Sequence, residues 1–217
     1  MREHPAKYNF KFIPSFVEFL SGCKTILDPF GGTGRVKLLE QYGFSTTDVE
    51  IEPEWATCIC GDSQKLPFKD NSFDGICTSP TYGNRMADSF VDKKPERHYK
   101  RNTYHHTLGR KPSFHNTGLY HFGKRYLNLH EMIYKECKRV LKPNGVFVLN
   151  TKNFIHSGVE TDVTNAHLCI LSGMGFVVKE LRSVPTNGLK YGDNRTRVQH
   201  EQITKLCAIS LLKGVKE

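Results

Sequence analysis

The fold of this chain is decided by the stretch Asp28-Pro29-Phe30-Gly31-Gly32-Thr33-Gly34-Arg35. It follows the apolar run 25–27, which predicts a buried strand, and it precedes residues 36–42, whose pattern predicts a helix that ends at residue 43. A glycine-rich turn between a strand and a helix lets a ligand approach the backbone closely, because glycine has no Cβ and tolerates a positive φ. The acid that opens the turn favours a cationic ligand over a pyrophosphate. The alternative is an ordinary turn between a strand and a helix that holds three glycines.

Acidic residues also follow the next predicted strands. Residues 44–50 predict a second strand that ends at Glu50, and residues 57–60 predict a third that is followed by Asp62. Carboxyl ends of strands in open α/β sheets line the ligand crevice. Glu50 is placed to accept hydrogen bonds from ribose hydroxyls, and Asp62 from an adenine amino group, so these acids predict an adenosyl ligand.

The remaining pattern alternates strands and helices. Residues 73–78 predict a fourth strand, and residues 146–149, 176–181 and 203–212 predict three more. Helices are predicted near residues 12–20, 50–56, 126–141 and 159–173. This order predicts an α/β fold with a parallel sheet whose final strands are free to pair antiparallel.

Composition narrows the class of protein. The 217 residues predict one domain, and the net charge of +9 predicts an acidic partner, with nucleic acid ahead of a membrane surface. No apolar stretch approaches the length of a membrane span. The seven cysteines are scattered without a CxxC pair, which argues against a zinc site or a disulfide framework and favours reduced cysteines in the cytoplasm.

A basic insertion interrupts the periodic pattern between residues 83 and 125. It holds ten Lys or Arg and only three acids, so it carries most of the net charge of the chain. Five histidines and several aromatic residues are interleaved with these cations, but the histidine spacing does not support a zinc site. A stretch of this length without periodicity is functional or disordered. It is interpreted as a clamp for nucleic acid, and the alternative is a solvated basic loop.

Two motifs give the chain a family resemblance. It resembles class I S-adenosylmethionine-dependent methyltransferases, and among them the DNA methyltransferases that methylate exocyclic amines. Residues 28–34 match their Asp-Pro-Phe-x-Gly-x-Gly cofactor turn, and Ser79-Pro80-Thr81-Tyr82 approximates their (Asp/Asn/Ser)-Pro-Pro-(Tyr/Phe) catalytic turn. Residues 4–7 and 195–201 are similar to their terminal segments. The resemblance implies a Rossmann-like fold with a seven-stranded, mostly parallel sheet and an antiparallel last strand. It also implies one methyltransferase domain over residues 1–217, with the insertion at about 84–125.

The resemblance also implies roles for individual residues. The cofactor would be S-adenosylmethionine, held by Asp28, Pro29, Phe30, Gly31, Gly32, Gly34, Glu50, Ile51, Asp62 and Ser63. The catalytic turn would be formed by Ser79, Pro80, Thr81 and Tyr82, and no metal is required. The amino group of a base is a poor nucleophile because its lone pair is delocalised. The Ser79 hydroxyl and the Pro80 carbonyl would accept its hydrogens, and Tyr82 would stack on the extruded base.

One position departs from the family pattern. Thr81 stands where the motif has its second proline, so the turn lacks the fixed φ that proline supplies. Either the turn keeps its geometry in another way, or the site binds without transferring a methyl group. Serine at position 79 favours cytosine N4 over adenine N6 as the target. The cofactor motif precedes the catalytic motif, whereas many enzymes with a Ser-Pro-Pro-Tyr turn have the opposite order.

The predicted partner is nucleic acid, in the form of double-stranded DNA with a flipped base. Candidate contacts are the basic, amide and aromatic side chains of the insertion and of the last connection, namely Asn84, Arg85, Lys93, Lys94, Arg97, Lys100, Arg101, Tyr104, Arg110, Lys111, Arg195 and Arg197. An RNA base methyltransferase, an inactive nucleic-acid-binding relative and a small-molecule methyltransferase are the alternatives. The expected location is the cytoplasm of a bacterium or of a phage-infected host, in a restriction-modification or orphan modification role.

Overall fold

The computed structural model describes residues 10–83, 104–156, 159–186 and 199–208. The strands in these ranges are β1 (Thr25–Asp28), β2 (Ser45–Glu50), β3 (Ile59–Cys60), β4 (Phe73–Thr78), β5 (Leu141–Lys152), β6 (Phe154–His156), β7 (Val159–Thr161), β8 (Phe176–Thr186) and β9 (Gln199–Ala208). The α-helices are α1 (Ile13–Phe19), α2 (Tyr104–Leu108), α3 (Lys124–Val140) and α4 (Val163–Gly173). Short 3-10 helices cover Phe10–Phe12, Arg35–Tyr42 and Thr117–Leu119.

Seven of the strands in the described ranges form one mixed sheet. Their order is β3-β2-β1-β4-β5-β9-β8, while β6 and β7 pair separately. The first five strands of the order are parallel to one another, whereas β9 is antiparallel to both β5 and β8. The predicted seven-stranded, mostly parallel sheet with an antiparallel last strand is confirmed.

Helices cover both faces of this sheet. Neighbouring residues of a strand point to opposite faces, so each face carries apolar side chains that a layer of helices buries. Leu27, Ile76 and Phe147 pack in the cluster that contains the apolar side of α3 and part of α4. Their neighbours Ile26, Cys77 and Val148 pack in the cluster that contains α1 and the 35–42 helix. The strands therefore read as nearly continuous apolar runs, as strands buried on both faces do.

Several predicted elements differ from the observed ones. Residues 35–42 form a 3-10 helix instead of an α-helix, and after β2 ends at Glu50, residues 51–56 form turns instead of a short helix. The helix predicted from residue 159 begins at Val163, because Asp162 accepts a hydrogen bond from the Asn165 amide (3.1 Å) and ends the preceding strand β7. The last strand begins at Gln199 and not at residue 203, and residues 209–212 lie outside the described ranges.

The second half of the basic insertion has regular structure and packs at the carboxyl-terminal ends of the parallel strands. Residues 104–123, which we call the cap segment, contain α2 and the 117–119 turn of 3-10 helix, and they bury Tyr104, Leu108 and Thr117. Part of the insertion therefore has regular structure although its sequence lacks hydrophobic periodicity, while residues 84–103 lie outside the described ranges. None of the helices in the described ranges has the length and apolar character that crossing a membrane requires.

Candidate active site

The predicted site residues lie together at the carboxyl-terminal ends of the parallel strands. Strands β3, β2, β1 and β4 are adjacent and parallel, so the residues at their carboxyl ends are neighbours. Asp28 ends β1, Glu50 ends β2, Asp62 follows β3 and Ser79 follows β4. The strand order therefore places these four residues at neighbouring strand ends, and their roles in a site stay predictions.

The glycine turn needs glycine at two positions for different reasons. A Cβ at Gly31 would lie 2.8 Å from the Asp48 Cβ, because the turn packs directly against β2. Gly34 has a φ of +71°, in the left-handed region, and a Cβ there would collide with the Thr57 side chain. The turn is therefore fixed by its backbone conformation and by its closest neighbours.

Two buried carboxylates hold the turn in place. Glu50 accepts hydrogen bonds from the Gly32 amide at Oε2 (2.8 Å) and from the Glu52 amide at Oε1 (2.9 Å). Asp28 Oδ1 accepts from the Thr78 hydroxyl (2.6 Å) and from the Phe30 amide (3.0 Å). Burial raises the pKa of Asp28 and of Glu50 to about 7 each, against the effect of these hydrogen bonds. A cation bound nearby would replace the solvation that both groups have lost.

The third acid is shared with the cap segment. Asp62 accepts hydrogen bonds from the Gln64 amide (2.9 Å) and contacts His115 Nδ1 through its other oxygen (2.5 Å). Ser63 donates its hydroxyl to the Pro29 carbonyl (2.6 Å), so the turn after β3 is tied to the glycine turn. An adenine amino group would have to share Asp62 with His115.

These residues fit an adenosyl cofactor with a positive charge. Each carboxylate oxygen has two lone pairs, and the two amides occupy only one on each oxygen of Glu50, which leaves acceptors for ribose hydroxyls. The absence of side chains at Gly31 and Gly34 lets the turn pack closely against Asp48 and Thr57, which fixes the backbone that would face the cofactor. Ile51 lies half-buried beside Glu50. The individual cofactor contacts stay predictions.

The catalytic turn directly follows β4. Ser79 Oγ and Tyr82 Oη are 3.0 Å apart, and Asn150 Nδ2 donates to Ser79 Oγ over 3.4 Å. Asn150 is fully buried on β5, the neighbour of β4. The sequence interpretation missed this residue, although a polar pair at 150–151 directly after the apolar run 146–149 is the signal that could have found it.

The cap segment and α3 hold the middle of this turn. Thr81 donates its hydroxyl to Thr117 Oγ1 (2.8 Å), and the Tyr126 hydroxyl donates to the Thr81 carbonyl. The Phe122 amide donates to the Gly83 carbonyl (3.0 Å). Residues 81–83 are thus anchored at three points by chain segments more than thirty residues away in sequence.

A buried acid, Glu52, anchors the cap segment itself. Its side chain is inaccessible to solvent and accepts four hydrogen bonds of 2.7–3.0 Å, from the guanidinium of Arg110, the amide and hydroxyl of Ser113, and the side chain of Asn116. Arg110 also pairs with Glu54 (2.6 Å). The sequence interpretation placed Glu52 in a short helix and gave it no role.

Three of the twelve candidate nucleic-acid contacts lie in the described residues. Tyr104 is 3% exposed and packs on Trp55, while the guanidinium of Arg110 is engaged by Glu52 and Glu54. Both side chains therefore help to dock the cap segment, a role that the sequence analysis did not give them, and their contacts with nucleic acid stay predictions. Lys111 is exposed. Nine further candidates lie outside the described residues, namely Asn84, Arg85, Lys93, Lys94, Arg97, Lys100, Arg101, Arg195 and Arg197.

Known structures share this architecture. A protein from Pyrococcus horikoshii OT3 superposes over 95% of this chain and 94% of its own, with a TM-score of 0.57 and 16% identity. A SAM-dependent methyltransferase from Methanosarcina mazei covers 90% and 97%, with a TM-score of 0.56 and 15% identity. A 1,6-didemethyltoxoflavin-N1-methyltransferase from Burkholderia thailandensis, solved with 1,6-didemethyltoxoflavin and S-adenosylhomocysteine, covers 93% and 78%, with a TM-score of 0.53 and 13% identity.

Sequence comparison adds nothing to this picture, because neither a family model nor a curated protein matches the chain. At identities this low, the structural likeness shows the fold and not the reaction. The chain has the Rossmann-like fold of class I SAM-dependent methyltransferases, as the resemblance implied.

Proposed function

We propose that this protein transfers a methyl group from S-adenosylmethionine to an exocyclic amine of a nucleic-acid base, with cytosine N4 of DNA as the favoured target and adenine N6 the next. The observation that carries the proposal is the Ser79–Tyr82 turn, which follows β4 beside the glycine turn with its serine held by Asn150. The fold supports the cofactor, since two structures of this fold are named as methyltransferases and one contains S-adenosylhomocysteine.

The glycine turn and its acids would bind the cofactor. S-adenosylmethionine supplies an electrophilic methyl group on a sulfonium. The buried Asp28 and Glu50 carboxyls favour a cationic ligand, because a positive charge stabilises their ionised forms. The two glycines that lack room for a Cβ let the turn pack tightly against Asp48 and Thr57, so its backbone is fixed before the cofactor binds.

Ser79 and Pro80 would orient the nucleophile. Ser79 has one proton to donate and two lone pairs to accept with. When it donates to Tyr82 and accepts from Asn150, one lone pair remains for an amine hydrogen. The Pro80 carbonyl supplies the second acceptor. An amine held by both acceptors directs its lone pair toward the sulfonium methyl, so that the N–C bond forms as the S–C bond breaks, and the amine then releases a proton to solvent.

Charge supports a nucleic acid as the substrate. The chain carries a formal charge of +9, concentrated in the insertion that includes the cap segment. The guanidinium of Arg125, at the start of α3, stacks on the rings of Phe114 (4.8 Å) and Tyr120 (4.4 Å) of the cap segment, and Phe114 is 66% exposed. Arginine and aromatic faces of this kind serve binding to unpaired bases in other proteins.

The test is methyl transfer from tritiated S-adenosylmethionine to separate pools of DNA and RNA, followed by nucleoside mass spectrometry. N4-methylcytosine in DNA is expected, and N6-methyladenine would keep the reaction while changing the base. Label in RNA alone would move the substrate from DNA to RNA. A protein that binds S-adenosylmethionine in calorimetry yet labels neither pool would contradict the transfer and favour a binding role.

A further inference from the structure

The position that departs from the family motif has unusual support behind it. A proline at position 81 would fix φ through its ring, and Thr81 has no such ring. The structure holds Thr81 on both sides of its Cα instead: the side-chain hydroxyl donates to Thr117 Oγ1 (2.8 Å), and the carbonyl accepts from Tyr126. With both groups held, the peptide plane that contains the neighbouring Pro80 carbonyl is also restrained.

The Tyr126 hydroxyl belongs to a longer chain of hydrogen bonds in the interior. It lies 2.7 Å from His167 Nε2, and His167 Nδ1 lies 2.8 Å from the Tyr134 hydroxyl. All three side chains are buried, on α3 and α4. Burial lowers the pKa of His167 well below its usual value, so its ring is neutral and carries one proton.

Counting protons fixes the direction of this chain. The Tyr126 hydroxyl has one hydrogen, which goes to the Thr81 carbonyl, so its contact with His167 requires Nε2 to carry the imidazole proton. His167 Nδ1 is then an acceptor and takes the Tyr134 hydrogen. Each donor in this series of hydrogen bonds points toward Thr81, and each buried polar atom in the series has a partner.

We infer that Tyr134, His167, Tyr126 and Thr117 are positioning residues that fix the catalytic turn in place of the missing proline ring. The inference rests on the proposed function for its catalytic consequence, but the hydrogen-bond chain itself is independent of any substrate. It answers the question that Thr81 raises, because a turn held in this way keeps the Pro80 carbonyl oriented without proline.

Rescue provides the kinetic test. Tyr126→Phe removes the donor to the Thr81 carbonyl, and we expect single-turnover methyl transfer to DNA at saturating cofactor to slow about tenfold, with the Kd for S-adenosylmethionine unchanged. Thr81→Pro added to Tyr126→Phe should restore most of the rate, since the Thr81 hydrogen bonds in the described residues use its hydroxyl and its carbonyl and not its amide. Tyr42→Phe, which deletes the hydroxyl of an exposed tyrosine at the end of the 35–42 helix, is the control and should retain the wild-type rate.

A full rate in Tyr126→Phe, or a loss that Thr81→Pro does not restore, would overturn the positioning role. Nuclear magnetic resonance supplies a test without substrate. The ¹⁵N signals of His167 should be those of a neutral ring protonated at Nε2 from pH 5 to 8, and Tyr126→Phe should move the proton toward Nδ1. A wild-type ring protonated at Nδ1 would overturn the hydrogen-bond chain, whereas absent methyl transfer with the expected signals would fault the proposed function alone.

Discussion

The glycine turn and the catalytic turn lie side by side at the carboxyl-terminal ends of two adjacent strands, yet they are held by different kinds of contact. The glycine turn is fixed by its own backbone conformation and by β2, with Gly32 bonded to an acid 18 residues away. The catalytic turn is held by side chains 36, 45 and 71 residues away, on the cap segment, α3 and β5. We expect a turn that is fixed by its own backbone to tolerate few substitutions. A turn that is held by several distant side chains can lose one of these contacts, and a substitution at another position can compensate for the loss.

The largest effect is expected at the base of the cap segment. Glu52→Gln replaces a buried acceptor of four hydrogen bonds with a group that points N–H at donors, and it should lower the free energy of unfolding by about 3 kcal/mol. Glu54→Gln is the matched control, because Glu54 pairs with the same Arg110 in a more exposed place and should cost less than about 1 kcal/mol. Urea unfolding followed by circular dichroism measures both. Equal losses would mean that the buried acid does not anchor the cap segment.

The next effect separates chemistry from binding. Ser79→Ala removes one acceptor for the amine, and we expect the methyl-transfer rate constant to fall about 10²-fold or more, as for other preorganised polar groups at reaction centres. The Kd for S-adenosylmethionine should stay within about twofold, since the glycine turn is held without Ser79. Single-turnover kinetics and calorimetry give the two numbers. Retained full activity would remove Ser79 from the reaction.

The glycine turn should respond in the opposite way. Gly34→Ala combines a left-handed φ with a collision against Thr57, and we expect the Kd for S-adenosylmethionine to rise about 30-fold. Gly43→Ala is the control, because Gly43 has a similar φ of +87° but open space around it. Its cost should be confined to stability, at about 1 kcal/mol. If Gly43→Ala weakens binding equally, the close packing of the turn is not what the cofactor needs.

The smallest effect is a pH dependence of binding. With pKa values of about 7, Asp28 and Glu50 are largely protonated at pH 6 and must ionise to favour a cation. The affinity for S-adenosylmethionine should therefore fall, by about tenfold, between pH 7.5 and 5.5, and that for S-adenosylhomocysteine, which lacks the sulfonium charge, should fall less. Calorimetry in buffers of different ionisation enthalpy measures the protons released, and identical pH profiles for the two ligands would contradict this coupling.

The same carboxyls predict a trend in stability without ligand. Their pKa values in the unfolded chain lie near 3.8 and 4.5, so the folded protein binds extra protons between about pH 4 and 7. The stabilisation is complete below about pH 4 and is lost as pH rises through 7. These two groups therefore make the free energy of unfolding fall over that range, and Asp28→Asn should flatten the slope measured by urea unfolding at each pH.

The sequence predicted the glycine turn side better than the catalytic side, for a physical reason. Strand ends, glycines and the acids after them follow from local pattern, and the strands predicted at residues 25–27 and 44–50 are observed as β1 and β2 at residues 25–28 and 45–50. Thr117, Tyr126 and Asn150 could not be connected to Ser79 or Thr81, because tertiary folding alone brings these residues together. Glu52 was misplaced for a similar reason, since its partners come from Arg110 to Asn116 and hold residues 50–56 out of a helix.

Glu52 has a consequence for how the chain is made. During synthesis the end of β2 emerges long before residues 110–116, and until they arrive its carboxylate lacks the four donors that permit its burial. The carboxyl-terminal end of β2 therefore cannot reach its final packing while residues 110–116 are still inside the ribosome. Folding of this part must wait for the cap segment, and a chain that stalls before residue 110 should stay open to proteases at the end of β2.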